Sequence, residues 1–153
     1  MKKNIGKLLV LLVFSLLCSL NMLGQNIDSL QLTVKEIPEN YIISNENKCI
    51  SIQASLLFEK PDIYEIIIGK VKSKKIQSFN SKKETGSIIY FEFENQFTAT
   101  GFLEPLLWGG SKPTKEHPEE YFSKGNYLVI WSFKKGSLIK KISEDKIKIL
   151  LKQ

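Results

Sequence analysis

The chain has 153 residues, 22 basic and 16 acidic side chains, and a formal charge of +6 at pH 7. This length suits one domain, and no internal repeat or low-complexity linker divides it. Every basic residue is a lysine. Because arginine provides the bidentate contacts to guanine and phosphate, the modest charge and the lack of arginine argue against a nucleic-acid-binding protein.

Residues 1–24 have the three-part organisation of a secretory signal peptide: three lysines, an apolar run at 8–17 and a short polar stretch. The apolar run is roughly half of the 20 or so residues that span a bilayer, so we expect no permanent anchor. Cleavage after Gly24 would leave one domain at 25–153 with a charge near +3, because three of the 22 basic residues lie in the leader. We therefore expect an exported protein, in the periplasm, on the cell surface or secreted.

Cys18 leaves a second outcome open, because bacterial lipoproteins are cut just before a cysteine that then carries the lipid. The residues before Cys18 resemble that recognition sequence only loosely, since Leu17 stands where a small residue is usual. Cys18 is thus a candidate lipidation site beside ordinary cleavage. If the cut follows Gly24, Cys49 is the one remaining thiol, and we expect it to be buried and inert without a disulfide.

The most sharply patterned stretch is 125–133. Its side chains fall on two alternating faces, and both faces are largely apolar. The first face has Tyr127, Val129, Trp131 and Phe133, and the second has Leu128, Ile130 and Ser132. This pattern predicts a central strand covered on both sides, as in a layered β domain.

Alternating or β-branched apolar residues predict further strands along the chain. They lie at 30–35, 50–56, 64–71, 86–94, 97–102, 138–142 and 147–151. A short final helix capped by Ser143 is the alternative for the last one. Seven to nine strands indicate an all-β fold, a single antiparallel β-sandwich, with a small closed β-barrel as the alternative.

The stretch 72–83 is polar and basic, so we interpret it as a loop that could contain a short strand. Its four lysines could contact an acidic partner, and a solvated loop is the alternative. Those lysines are Lys74, Lys75, Lys82 and Lys83.

A glycine two residues before a tyrosine that opens a buried strand occurs at Gly125-Asn126-Tyr127. This arrangement resembles the penultimate strand of many Ig-like and fibronectin-III-like domains of exported bacterial proteins. The resemblance covers these residues and the hairpin turn after the strand. It implies an Ig-like sandwich and assigns no function to any residue.

Residues 103–124 follow no regular period, and a connection of this length is usually functional or disordered. Its aromatic and apolar content favours an ordered loop. Exposed aromatic rings on a shaped loop would form a recognition surface for a protein or a glycan, and covering one end of the domain is the alternative. The candidate binding residues are Trp108, His117, Tyr121 and Phe122.

The residue types give little support to an enzyme. His117 is the only histidine, so we expect no catalytic triad, no metal site and no cofactor. A small extracellular hydrolase stays an alternative, because two carboxylates facing across a cleft would serve glycosidase chemistry. The candidate acids are Glu92, Glu94, Glu104 and Glu119.

The sequence therefore favours a non-enzymatic exported module that binds a protein or glycan of the cell envelope or exterior through the 103–124 loop. A hydrolase and a lipid-tethered structural envelope protein are the alternatives.

Overall fold

The computed structural model of the chain describes residues 26–152, and the predicted signal peptide and Cys18 lie outside them. Five strands and five α-helices make up the fold, with two short 3-10 turns at Val34–Glu36 and Pro61–Tyr64. The strands are β1 (Ile42–Ser44), β2 (Val71–Asn80), β3 (Thr85–Phe93), β4 (Glu120–Lys124) and β5 (Tyr127–Ser132). The helices are α1 (Ile27–Leu30), α2 (Ile52–Glu59), α3 (Glu65–Ile68), α4 (Thr100–Trp108) and α5 (Leu138–Lys152).

The strands form one antiparallel sheet in the order β1-β2-β3-β5-β4. Strand pairing places the ends of β2 and β5 beside the starts of β3 and β4. The pairs that show this are Asn80 with Thr85, Ser87 with Ser132, and Glu120 with Trp131. We call this the upper end of the sheet, and the opposite end, where β2 and β5 begin, the lower end. The predicted antiparallel sheet is confirmed.

Both faces of the sheet are covered by helices. α1 and α5 pack on the first face, around the core residues Tyr90, Val129, Trp131, Ile139 and Ile147. The second face packs against α2, α3 and α4, around Leu57, Phe91, Phe93, Leu103 and Ile130. β3 and β5 therefore carry buried apolar residues on both faces, as predicted for the 125–133 strand. The assignment of its side chains to the two faces is also confirmed.

The prediction of an all-β fold is wrong, and so is the closed barrel. Within residues 26–152 the strands form one open sheet, and helices stand where a second sheet of a sandwich was expected. The stretch 50–56 belongs to α2, where Ser51 accepts the amide proton of Ala54 at 3.2 Å and caps the helix. Ala54 and Leu57 are buried at helical spacing while Ile52 is 80% exposed, so the period-two alternation there was fortuitous.

The strands predicted at 138–142 and 147–151 are replaced by α5. Ile139, Ser143, Ile147 and Leu151 are buried at intervals of four, the spacing of one helix face. Ile149, which completed the apparent strand alternation, is exposed. The capped short helix considered for this region was the better interpretation, although the helix begins earlier, at Leu138.

Four other stretches differ from the prediction. Residues 64–71 are mostly helical, and 97–102 lead into α4 instead of forming a strand. Residues 30–35 are not a strand either, and their backbone is held on the sheet by the Gln77 amide, which donates to the Leu32 carbonyl and accepts from its amide, both at 2.8 Å. The predicted 72–83 loop is mainly β2. Polar residues there conceal the alternation, since pairing with β1 and β3 holds the strand.

Among residues 26–152, none of the helices has both the length and the apolar character needed to cross a bilayer.

Candidate functional site

Two of the four predicted binding residues form one packed pair. Trp108 closes α4, and its ring lies 6.2 Å from the ring of Tyr121 on β4. The Trp108 indole donates to the Glu119 carbonyl at 2.7 Å, and the Tyr121 hydroxyl donates to Glu104 at 2.7 Å. Burial and the Glu104 carboxylate raise the pKa of Tyr121 to about 12. Both rings pack against the core of the second face, so they hold β4 and α4 together.

The other two predicted residues lie elsewhere. Phe122 packs against the core of the first face, on the opposite side of the sheet from Trp108. His117 sits in a tight turn with Thr114, whose hydroxyl accepts from the His117 amide at 3.1 Å. The structure therefore brings Trp108 and Tyr121 together and separates them from Phe122.

The irregular connection is shorter than predicted. α4 occupies its beginning and β4 its end, so residues 109–119 remain as the loop. Gly109 ends α4 in the left-handed conformation with φ of 63°, which favours glycine because it has no Cβ. This termination directs the loop to the upper end of the sheet, where β4 starts.

An open groove lies beside this loop. It has a volume of about 740 Å³ and runs between the loop and the turn that follows β5. A smaller depression of about 330 Å³ adjoins it across Lys134, which lines both. We call the two together the lysine groove. The larger part is lined by Pro113, Thr114, Lys115, Pro118, Glu120, Lys134 and Lys135, and the smaller part by Lys48, Ile50, Ser81, Lys82, Lys83, Glu84, Thr85 and Lys134.

Most lysines of the groove are without a carboxylate partner in the described part of the chain. Only one of the six, Lys48, forms an ion pair within residues 26–152, with Glu46 at 2.6 Å. Of the two lining acids, Glu120 is neutralised by Lys140 at 2.6 Å, and Glu84 accepts a hydrogen bond from Tyr41. Lysines outside the groove are of both kinds. Those at 70, 72, 75, 140, 146 and 148 pair with carboxylates, and those at 35, 60, 74, 112, 124 and 141 form no ion pair within residues 26–152. The groove therefore carries an uncompensated positive charge.

A row of buried polar side chains lies beneath the groove, at the upper end of the second face. Ser78, Ser87 and Ser132 stand side by side on β2, β3 and β5, and Glu119 follows just before β4. We call these four residues the polar row. Ser78 and Ser87 share a hydrogen bond of 2.7 Å, and Ser132 donates to Glu119 at 2.7 Å.

The polar row holds residues 48–51, which cross the strand ends and which we call the crossing segment. The amide of Lys48 donates to Ser87 at 2.9 Å and that of Ile50 to Ser132 at 2.7 Å. The Ser51 amide donates to Glu119 at 3.1 Å. Irregular backbone can be buried only where its polar groups find partners, and the row supplies them strand by strand.

Cys49 lies in the crossing segment and is half-buried and free of a disulfide. Burial, opposed by hydrogen bonds from Ser87 and Ser132, raises the pKa of its thiol to about 12. A thiol with that pKa is protonated at neutral pH and is a poor nucleophile.

The carboxylates considered for a hydrolase are spread over the molecule. Glu92 and Glu94 lie at the lower end and pair with Lys72 and Lys70 at 2.7 and 2.9 Å. Glu119 is buried at the upper end. Among residues 26–152 the structure contains no cluster of three or more side chains suited to a metal ion.

Comparisons with protein families, curated proteins and solved structures found no match to this chain. The resemblance of Gly125-Asn126-Tyr127 to Ig-like domains stays a prediction.

The sequence indicates only some of the lysines of the groove as contact residues. The basic character of 72–83 indicates Lys82 and Lys83 as contacts for an acidic partner, whereas Lys134 and Lys135 belong to the hairpin turn after the 125–133 strand, to which the sequence assigns no contact. Both are pairs of adjacent lysines in tight turns, and that shared feature was the available signal. The polar row had no local signal, because its members are brought together only by strand pairing.

Proposed function

We propose that this protein is an exported, non-enzymatic binding module that holds an acidic segment of a partner protein in the lysine groove. The observation that carries the proposal is a groove lined by five lysines that form no ion pair within the described chain. These five lysines lie along one groove, so their charge is available to a partner.

The shape of the groove supports an extended occupant. Two depressions of about 740 and 330 Å³ meet at Lys134, so the lysines follow one another along a path instead of surrounding a single point. A segment of chain with several carboxylates matches such a path better than a small anion does.

The lining favours a protein segment over a glycan or a nucleic acid. Sugars and bases are commonly bound by stacking on aromatic rings, and the described lining of the groove contains none. Trp108 and Tyr121 pack on each other and on the core instead. Lysine is a compact point charge, and it suits the carboxylates of Asp and Glu without the bidentate geometry that arginine provides.

Trp108 and Tyr121 take a supporting role in this proposal. They were predicted as contacts, and their packing against α4 and β4 favours a role in holding the start of the loop and the strand behind it. The loop contributes the contact through Lys115 and its two prolines.

The test is the binding of a fluorescent peptide of ten glutamates to the protein purified after export. We expect binding that weakens steeply between low and physiological salt, since exposed charges are screened over about 8–10 Å. Lys134→Ala together with Lys135→Ala should lower affinity roughly tenfold, because each exposed ion pair contributes up to about 1 kcal/mol.

The matched control is Lys124→Ala together with Lys141→Ala, which removes the same charge from exposed positions outside the groove. The proposal predicts near wild-type affinity for this control. An equal loss in both double variants would show that net charge alone attracts the peptide and would contradict the groove. Tighter binding of a sulfated glycan or of oligothymidylate than of the glutamate peptide would contradict the choice of partner.

A further inference from the structure

The walls of the lysine groove meet at one buried carboxylate. Glu119 is fully buried, and its chain neighbours Pro118 and Glu120 both line the larger part of the groove. Its Oε1 accepts from the Ser51 amide and from the Ser132 hydroxyl, and its carbonyl accepts from the Trp108 indole.

These bonds join three of the segments that line the groove. The Ser51 amide belongs to the crossing segment, which contributes Lys48 and Ile50 to the smaller part of the groove. Ser132 is the last residue of β5 and lies two positions before Lys134, which lines both parts. Glu119 thus connects the loop 109–119, the crossing segment and the turn after β5.

Packing alone does not explain a carboxyl group at this position. Glu119 forms no ion pair within residues 26–152, and its Oε2 is buried without a hydrogen-bond partner there. Burial of such a group opposes folding, and an apolar side chain of similar volume usually serves a core better. A side-chain oxygen is needed here because one atom must accept two donors that come from different segments.

We infer that Glu119 is the positioning residue of the lysine groove. It holds the loop that carries Lys115 at a fixed spacing from the segments that carry Lys48 and Lys134, so that lysines of both walls face the same acidic chain. This inference rests on the proposed function for its consequence in binding, and on the hydrogen bonds at Glu119 for its geometry.

The first test compares two variants at Glu119. Glu119→Gln keeps an oxygen that can accept from Ser51 and Ser132, so we expect affinity for the ten-glutamate peptide within about twofold of wild type. Glu119→Ala removes that acceptor, and we expect about tenfold weaker binding with a shallower salt dependence, because fewer lysines then face the peptide together. Wild-type affinity in Glu119→Ala would overturn the inference.

A general loss of protein stability in Glu119→Ala must be distinguished from a displacement of the loop that carries Lys115. Ile147→Ala opens a cavity in the core of the other face, far from the hydrogen bonds of Glu119, and serves as a destabilised control. All proteins are measured at a temperature where near-ultraviolet circular dichroism shows them folded. Weakened binding in Ile147→Ala equal to that in Glu119→Ala would refute a specific role of Glu119.

A second variant covers the case in which Glu119→Ala does not fold. Trp108→Phe keeps an aromatic ring and removes only the indole N–H that donates to the Glu119 carbonyl. We expect it to weaken peptide binding about threefold, as the loss of one neutral hydrogen bond does. Unchanged binding in this folded variant would count against Glu119 as the point where the walls are joined.

The spacing itself can be measured without any peptide. Spin labels at Lys134→Cys and Lys115→Cys, in a Cys49→Ser background, report the distance between the turn after β5 and the loop. We expect a narrow distance distribution when the labelled protein keeps Glu119 or carries Glu119→Gln. We expect a broad distribution when it carries Glu119→Ala or Trp108→Phe. If the peptide does not bind at all, the proposed function fails while this distribution still decides the role of Glu119. An unchanged distribution would overturn the inference.

Discussion

On the second face, the two ends of the sheet are held by different interactions. At the lower end, aromatic rings pack in sequence, with Phe93 5.0 Å from Phe97 and 6.1 Å from Phe91. At the upper end, the polar row hydrogen-bonds the crossing segment, and Glu119 is buried without an ion pair in the described chain.

The surfaces differ in the same way. Lysines at the lower end pair with Glu92 and Glu94, and the exposed residues there include the isoleucines at 63, 66 and 67. Lysines at the upper end line a groove and are mostly unpaired within residues 26–152. The comparison teaches that, on the second face, apolar packing secures one end of the sheet. At the other end directional hydrogen bonds hold the crossing segment and the loop, and unpaired lysines above them are available for a partner.

The largest effect on stability is expected at the lower end. Phe93→Ala removes a ring that is 1% exposed and touches two other rings, so it should cost about 3–5 kcal/mol in the free energy of unfolding. Urea denaturation measures the loss. A cost below about 1 kcal/mol would mean that the aromatic packing does not secure this end.

The polar row should give an intermediate effect. Ser87→Ala leaves the Lys48 amide and the Ser78 hydroxyl without their partner, which should cost about 1–3 kcal/mol. Hydrogen exchange at the Lys48 amide should also be faster in Ser87→Ala than in the wild type. The matched control is Ser73→Ala, a half-buried serine toward the lower end of β2, for which both quantities should stay near wild type. Equal effects in the two variants would contradict a special role for the row.

The thiol in the crossing segment tests how firmly that segment is held. With the pKa of Cys49 raised to about 12 by burial, its reaction with iodoacetamide at pH 8 should be at least about 100-fold slower in the folded protein than in guanidinium chloride. An unfolded thiol ionises near pH 8.5, so stability should fall as the pH rises above about 8.5 while the folded thiol keeps its proton. Similar reaction rates in the two states would show that the crossing segment opens freely.

The smallest effect on stability is expected from substitutions of the exposed isoleucines. Ile66 has full exposure at 101%, so Ile66→Ser should change stability by less than about 0.5 kcal/mol. Affinity for the ten-glutamate peptide should be unchanged as well. Weaker peptide binding in this variant would place the contact surface at the lower end of the sheet and contradict its assignment to the upper end.

The sequence was most informative where burial is complete. β3 and β5 are apolar on both faces, so period-two alternation identified them and the sides to which their residues point. The stretch 50–56 satisfied the same period but became α2, because Ser51 caps a helix and Leu57 completes its buried face. β2 was missed because neighbouring strands hold it, and its polar residues carry little periodic signal.

The candidate site was predictable only in fragments. The lysine pairs at 82–83 and 134–135 are visible in the chain, but their proximity depends on the pairing of Ser87 with Ser132. Trp108 and Tyr121 attracted attention as aromatic residues in an irregular stretch, and the fold packs them inward. Long-range register decides both outcomes, and local patterns do not encode it.

The most direct test of the lysine groove is to titrate the isotope-labelled protein with the ten-glutamate peptide and follow its backbone amide resonances. We expect the largest shifts at Lys82, Lys83, Lys115, Lys134 and Lys135, with little change at the lower end. Shifts concentrated between 61 and 70, or no shifts at low salt, would contradict the groove as the contact surface.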